Sequence, residues 1–157
     1  MKNIIVIMLL GFLTTGCVSA YKAVENGRRA KLNFVSPNLE STFLHDTDLD
    51  LIIYEAKPSC SMKTMGKLRL NPGDESISTY IRAGQDGYFF TRFKRVLPGI
   101  GWFNSSLNFA FYIEDGAEYS ITHRERKGQH YFDYFKHDQN NRLVPIDAKF
   151  WSDCKKS

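Results

Sequence analysis

From residue 31 to residue 150, apolar and polar positions alternate with a period of two, and turn residues break the alternation at short intervals. Lys31-Leu32-Asn33-Phe34-Val35 opens the series. Leu49, Leu51 and Ile53 then share one face, and Lys67-Leu68-Arg69-Leu70 alternates strictly before the turn Asn71-Pro72-Gly73-Asp74. Ser76 to Arg82, Tyr88 to Val96, Leu107 to Ile113 and Glu118 to His123 repeat the pattern, separated by Ala83-Gly84, Pro98-Gly99 and Glu114-Asp115-Gly116. Gln129 to Phe135 and Leu143 to Phe150 complete it; Pro145 in the last suits an edge strand, because proline has no N–H for a ladder. A period of two places side chains alternately toward core and water. The chain therefore predicts eight or nine short strands and no helix longer than a turn or two.

Short strands at this spacing predict an all-β fold: a single antiparallel β-sandwich, immunoglobulin- or transthyretin-like, or a small barrel of about eight strands. There is no internal repeat, and residues 30–157 read as one domain. One segment resists the pattern. Val96 to Phe103 reads as a loop, yet it carries Leu97, Ile100, Trp102 and Phe103 around two glycines. Such a loop either folds back to plug one end of the sandwich or serves as an interaction anchor. Ile100, Trp102 and Phe103 are thus the partner-binding candidates.

The N-terminus differs in kind. Lys2 precedes an apolar run from Ile4 to Leu13, too short to cross a bilayer core, which needs about 20 residues of helix. It reads as a signal peptide over residues 1–16. Leu13-Thr14-Thr15-Gly16-Cys17 resembles the lipobox of bacterial lipoproteins, in which a small residue precedes a cysteine that is acylated, palmitate among the chains, and becomes the mature N-terminus. Val18-Ser19-Ala20 offers ordinary signal peptidase a rival site. Lipidation at Cys17 implies attachment to a membrane through lipid, with residues 17–29 as anchor and tether. Val18 and Ser19 lack an inner-membrane retention aspartate, so the expected location is the outer membrane, facing the periplasm. Cys60 and Cys154 then remain, an even pair in an oxidising compartment, readable as one disulfide. It would close a loop of nearly a hundred residues, worth about 4 to 5 kcal/mol in the chain-entropy model.

Composition adds little beyond this frame. Phe (12) and Tyr (8) dominate the aromatics and favour strands, and 21 Lys plus Arg against 17 Asp plus Glu give a net charge of only +4. Arg92-Phe93-Lys94-Arg95 and His123 to Lys127 have nucleic-acid-like composition, but export argues against nucleic acid, and solvated strand faces explain them. His45-Asp46-Thr47-Asp48-Leu49-Asp50 imitates the start of a calcium loop, then fails at Leu51 and Lys57, where Gly and Glu are required; it reads as a solvated loop before a strand. His123, His130 and His137 recur every seven residues, so a shared metal would need a turn at Lys127-Gly128; exposed hairpin histidines are the expectation. No nucleophile motif, phosphate loop or cofactor motif is present, and neither catalysis, cofactor nor metal is expected.

Arg29 to Phe34, Cys60, Ile81-Arg82-Ala83-Gly84 and Phe111-x-Ile113-x-x-Gly116-x-x-Tyr119 together resemble a loose group of small envelope lipoproteins with β-sandwich folds and no known activity. The resemblance implies that Gly116 makes a hairpin turn and Tyr119 anchors a strand end. Asp115-Gly116-Ala117-Glu118-Tyr119 also resembles a loop of periplasmic lysozyme inhibitors, which are small β-rich lipoproteins. The functional expectation is a lipid-anchored, non-catalytic envelope protein that binds another envelope component, protein or glycan, with a lysozyme or hydrolase inhibitor as the alternative.

Overall fold

The computed structural model describes residues 18–37, 39, 46–56, 61–97 and 99–150. Cys17, Cys60 and Cys154, the lipidation and disulfide positions, lie outside the described residues, as does His45. Nine strands appear among the described residues: β1 (Arg29–Val35), β2 (Asp46–Ala56), β3 (Met62–Leu70), β4 (Ser76–Arg82), β5 (Gln85–Leu97), β6 (Gly101–Ile113), β7 (Glu118–Arg126), β8 (Gln129–His137) and β9 (Leu143–Pro145). They form two sheets, ordered β4-β1-β7-β8-β9 and β3-β2-β5-β6. The expected β-sandwich is the fold. One pair departs from an all-antiparallel ladder: β1 runs parallel to β7, with Leu32 opposite Tyr119. Pro145 sits on an edge strand, as its missing N–H requires.

The alternation decides what lies between the sheets. Leu32 and Phe34 of β1, Leu49 and Leu51 of β2, Phe89 and Phe93 of β5, Phe109 of β6 and Ile121 of β7 are fully buried. Each is flanked by residues turned outward. Phe89 stacks between Phe109 and Phe111, with ring centroids 5.4 and 5.0 Å away. Burying an aromatic or aliphatic side chain of this size contributes about 1.5 to 3 kcal/mol, so this layer dominates stability.

Gly116 and Tyr119 carry the resemblance noted above, with one correction. Gly116 lies in a turn that passes from β6 in one sheet to β7 in the other, so it is a crossover and not a hairpin. The Gly116 N–H donates to the Arg29 carbonyl at 2.9 Å, locking the crossover to β1. Tyr119 does anchor the strand end: its ring is buried 5.1 Å from Phe111, and its hydroxyl accepts from the Glu114 N–H at 3.0 Å.

Candidate functional site

The segment expected as an apolar loop is strand on both sides. β5 continues to Leu97 and β6 starts at Gly101, with Val96 opposite Trp102 and Arg95 opposite Phe103. The N–H of Ile100 donates to the Leu97 carbonyl at 3.1 Å, and Gly99 holds φ 75°, which residues with a Cβ rarely adopt. The sequence signal missed the start of β6 because alternation fails there: Trp102 and Phe103 are adjacent, and Asn104, Ser105 and Ser106 are all polar. Ile100 and Trp102 are 84% and 70% exposed, so neither plugs the sandwich. The three candidates do not act alike. Trp102 projects from the outer face of its sheet, while Phe103, 43% exposed, turns inward against Phe93 at 6.3 Å and His130 at 5.5 Å.

Beneath Phe103 lies a polar cluster between the sheets. Lys127 (φ 52°) and Gly128 (φ 73°) form the turn joining β7 to β8, which sets His123 and His130 side by side. His123 Nε2 lies 3.0 Å from His130 Nδ1, and His123 Nδ1 lies 2.9 Å from Ser36 Oγ. If Ser36 donates to Nδ1, the His123 Nε2–H donates to His130. The expectation of exposed histidines is thereby corrected: His123 is 3% exposed, because it shares the inward parity of Tyr119 and Ile121. Burial, reinforced by the neighbouring His130, pushes the His123 pKa down to about 4. Burial lowers that of His130 too, against the pull of Glu125, which pairs with Arg95 at 3.0 Å. A serine–histidine–histidine chain has the form of a nucleophile, base and orienting group. Here Ser36 is 1% exposed, so its oxygen meets no substrate in this conformation. His137 lies on the other face of the sheet, between Ser120 Oγ and Asn141 Oδ1, each 2.8 Å away. Among the described residues, no three metal-capable side chains come together.

The acidic run is also strand. Asp48 and Asp50 sit two apart on the outer face of β2, and Asp50 is wholly buried there, which corrects the solvated loop. Arg69 Nε and Arg92 Nη2 donate to its two carboxylate oxygens at 2.7 and 2.6 Å, and Lys67 Nζ lies 3.9 Å away. Burial works to raise the Asp50 pKa, but the bonds from Arg69 and Arg92 win and hold it below the usual carboxylate range. Aspartates at alternate positions were themselves the strand signal, facing cations at alternate positions of β3 and β5.

At the opposite end, the stretch read as a tether is fastened to the fold. Ala20 makes a parallel bridge to Lys67, the Tyr21 N–H donates to the Lys67 carbonyl at 2.9 Å, and the Val24 N–H donates to the Tyr80 carbonyl at 3.0 Å. Tyr21 and Val24 cover a cavity of about 240 Å³ floored by Ile53, Ile81, Phe89 and Ile113. Its sequence signal was weak, since residues 18–29 show neither period. No protein-family model matches the chain, and no curated protein matches it.

Proposed function

We propose that the chain is a lipid-anchored outer-membrane protein facing the periplasm, non-catalytic, that holds another envelope component through the β5–β6 hairpin tip. The observation that carries this reading is the exposure of Ile100 and Trp102 at the tip of the β5–β6 hairpin. An exposed indole forgoes the roughly 2 to 3 kcal/mol that burial provides, unless something else covers it. The path of the N-terminus supports the same reading. Residues 19–21 run parallel to β3, level with Phe90 of β5, so Val18 lies toward the Met62 end and away from the tip. Leu97 lies seven residues beyond that level, roughly 20 to 25 Å along the strand. Val18 and the tip thus lie toward opposite ends of the four-stranded sheet, which favours a partner over the anchoring membrane as what Trp102 meets.

Two variants of the full chain in a bacterial host test it. Cys17→Ser should abolish palmitate incorporation and leave the protein soluble or unprocessed; unchanged membrane fractionation would overturn the anchor. Trp102→Ala should leave melting nearly untouched while partner capture is lost, and a large loss of stability would overturn the interaction role. Inhibition of a muramidase by the purified protein would point instead to the inhibitor reading.

A further inference from the structure

We infer that the cavity beneath the N-terminal strap binds a single-chain anionic amphiphile, a medium-chain fatty acid with its tail inside and its carboxylate at Arg82. The inference goes beyond the hairpin-tip reading and does not rest on it. The cavity lies at the far end of the sandwich from that tip. It takes lining from the last residues of β2 and β6, from the first of β5, and from β3 and β4. Its interior is hydrocarbon: Ile53, Ile81, Phe89 and Ile113 are buried there, and Met65 packs beside them.

Such a space is more than a packing fault. An engineered apolar cavity of about 150 Å³ stays dry and takes up benzene. This one, at about 240 Å³, is larger. Atoms that line a void lose the contacts that close packing provides, so an occupant of matching shape is stabilising. Gly87 shapes the wall. A Cβ there would meet Ile113 Cδ1 at 2.4 Å and the Phe89 ring at 2.8 Å, so glycine is what lets both side chains lie down against β5. At about 30 Å³ for each group the size of a water molecule, the cavity holds a chain of about eight carbons.

The lining that reaches solvent has a different character. Lys22 and Arg82 are exposed, and Glu55 is half-buried between them and the interior. Arg82 Nη1 donates to Glu55 Oε1 at 2.7 Å, which leaves further N–H donors on the guanidinium. Lys22 makes no ion pair among the described residues. Two cations and one carboxylate beside an apolar hole complement an anionic head on an alkyl tail. The cover can also part. Residues 19–24 are fastened by backbone bonds of Tyr21, Val24 and Lys67, and releasing them opens the cavity with both sheets intact. An acyl chain on Cys17 is the rival occupant, because Val18 lies toward this same end; it would bring no anionic head.

The test titrates octanoate, hexanoate and octanol calorimetrically into the full-length lipidated protein and into Cys17→Ser, both carried in phospholipid discs, with empty discs subtracted. We expect saturable one-to-one binding of octanoate by both proteins, with a negative heat-capacity change. Hexanoate, two methylenes shorter, should bind about fifteenfold more weakly. Octanol should bind about tenfold more weakly, and Arg82→Gln should bring octanoate down to that level while leaving octanol unchanged. Val24→Trp and Met65→Trp fill the cavity from the cover and from β3. Each should abolish binding with melting unchanged or raised, and the second keeps the test valid if the first disturbs the strap. No saturable binding, equal affinity for octanol and octanoate, or binding that survives both fillings overturns the inference. Octanoate bound by Cys17→Ser alone assigns the cavity to the chain's own acyl group and overturns a free ligand. Trp102→Ala should leave octanoate binding unchanged, so either reading can fail while the other stands.

Discussion

The two edges of the four-stranded sheet, β3 and β6, are built by opposite rules. β3 is cationic, bulged and strapped: Gly66 lies so close to the N-terminal segment that a Cβ there would come within 2.4 Å of the Tyr21 Cα. β6 is longer, uncharged, and bonded on its outer side at Ala110. Each device on β3 hinders a foreign strand, whereas β6 carries neither charge nor proline and, among the described residues, its outer side is covered by the bridge from Ala110 to Lys149. In one sheet of one small domain, one edge is guarded by charge, a bulge and a strap, and the other begins at the exposed apolar tip of Ile100 and Trp102.

Four perturbations break or sharpen the contrast. The largest effect belongs to the charge cluster that ties β3 to the middle of the sheet. Replacing Arg69 and Arg92 together by Met leaves the buried Asp50 carboxylate with only Lys67 at 3.9 Å, and should cost about 3 to 5 kcal/mol in denaturant unfolding. Because its pKa is lowered in the fold, Asp50 contributes stability that is present above the unfolded value near 4 and disappears as pH falls through the folded one.

Next comes the histidine pair that supports the start of β6 through Phe103. The unfolded His123 binds a proton below about pH 6.5, whereas the folded one resists until about 4. Between these values acid favours unfolding, and stability should fall by about 3 kcal/mol on this account. His123→Gln should flatten that part of the pH profile. Amide exchange should quicken at the Phe103 end of β6 and not along the strapped β3; equal acid sensitivity at both edges would remove the contrast.

Gly66→Val attacks the closed edge directly. Its φ of 141° strains any side chain, and the Cβ meets the backbone of Tyr21. A loss of about 1 to 3 kcal/mol is expected, with the Lys67 amide newly open to exchange. The smallest effect is Trp102→Ala, expected to stay within about 0.5 kcal/mol, as exposed positions do, where a core plug would cost about 3 to 5.

How much of this was legible follows from what alternation can encode. Leu49, Leu51 and Ile53, or Tyr119 and Ile121, stand opposite polar neighbours, so the sandwich could be read directly. Alternation is silent on which sheet a strand joins, and the turn at Gly116 reads alike for a hairpin and a crossover. It also fails where Trp102 and Phe103 adjoin and Asn104, Ser105 and Ser106 are all polar, which hid the start of β6. Asp50 and His123 were misread for a shared reason: chemistry drew attention to residue type, while their parity already fixed one on the outer face of β2 and the other inside. Ile100 and Trp102 stood out because large apolar groups around glycines have few structural uses, but the sequence left a core plug and an exposed anchor both open.

The most direct measurement compares photo-crosslinkers at position 102 on the exposed tip and position 67 under the strap, in the full-length protein within its own envelope. The account predicts an adduct with one envelope component from position 102 and none from position 67. Adducts from both positions alike, or from position 67 alone, would contradict it.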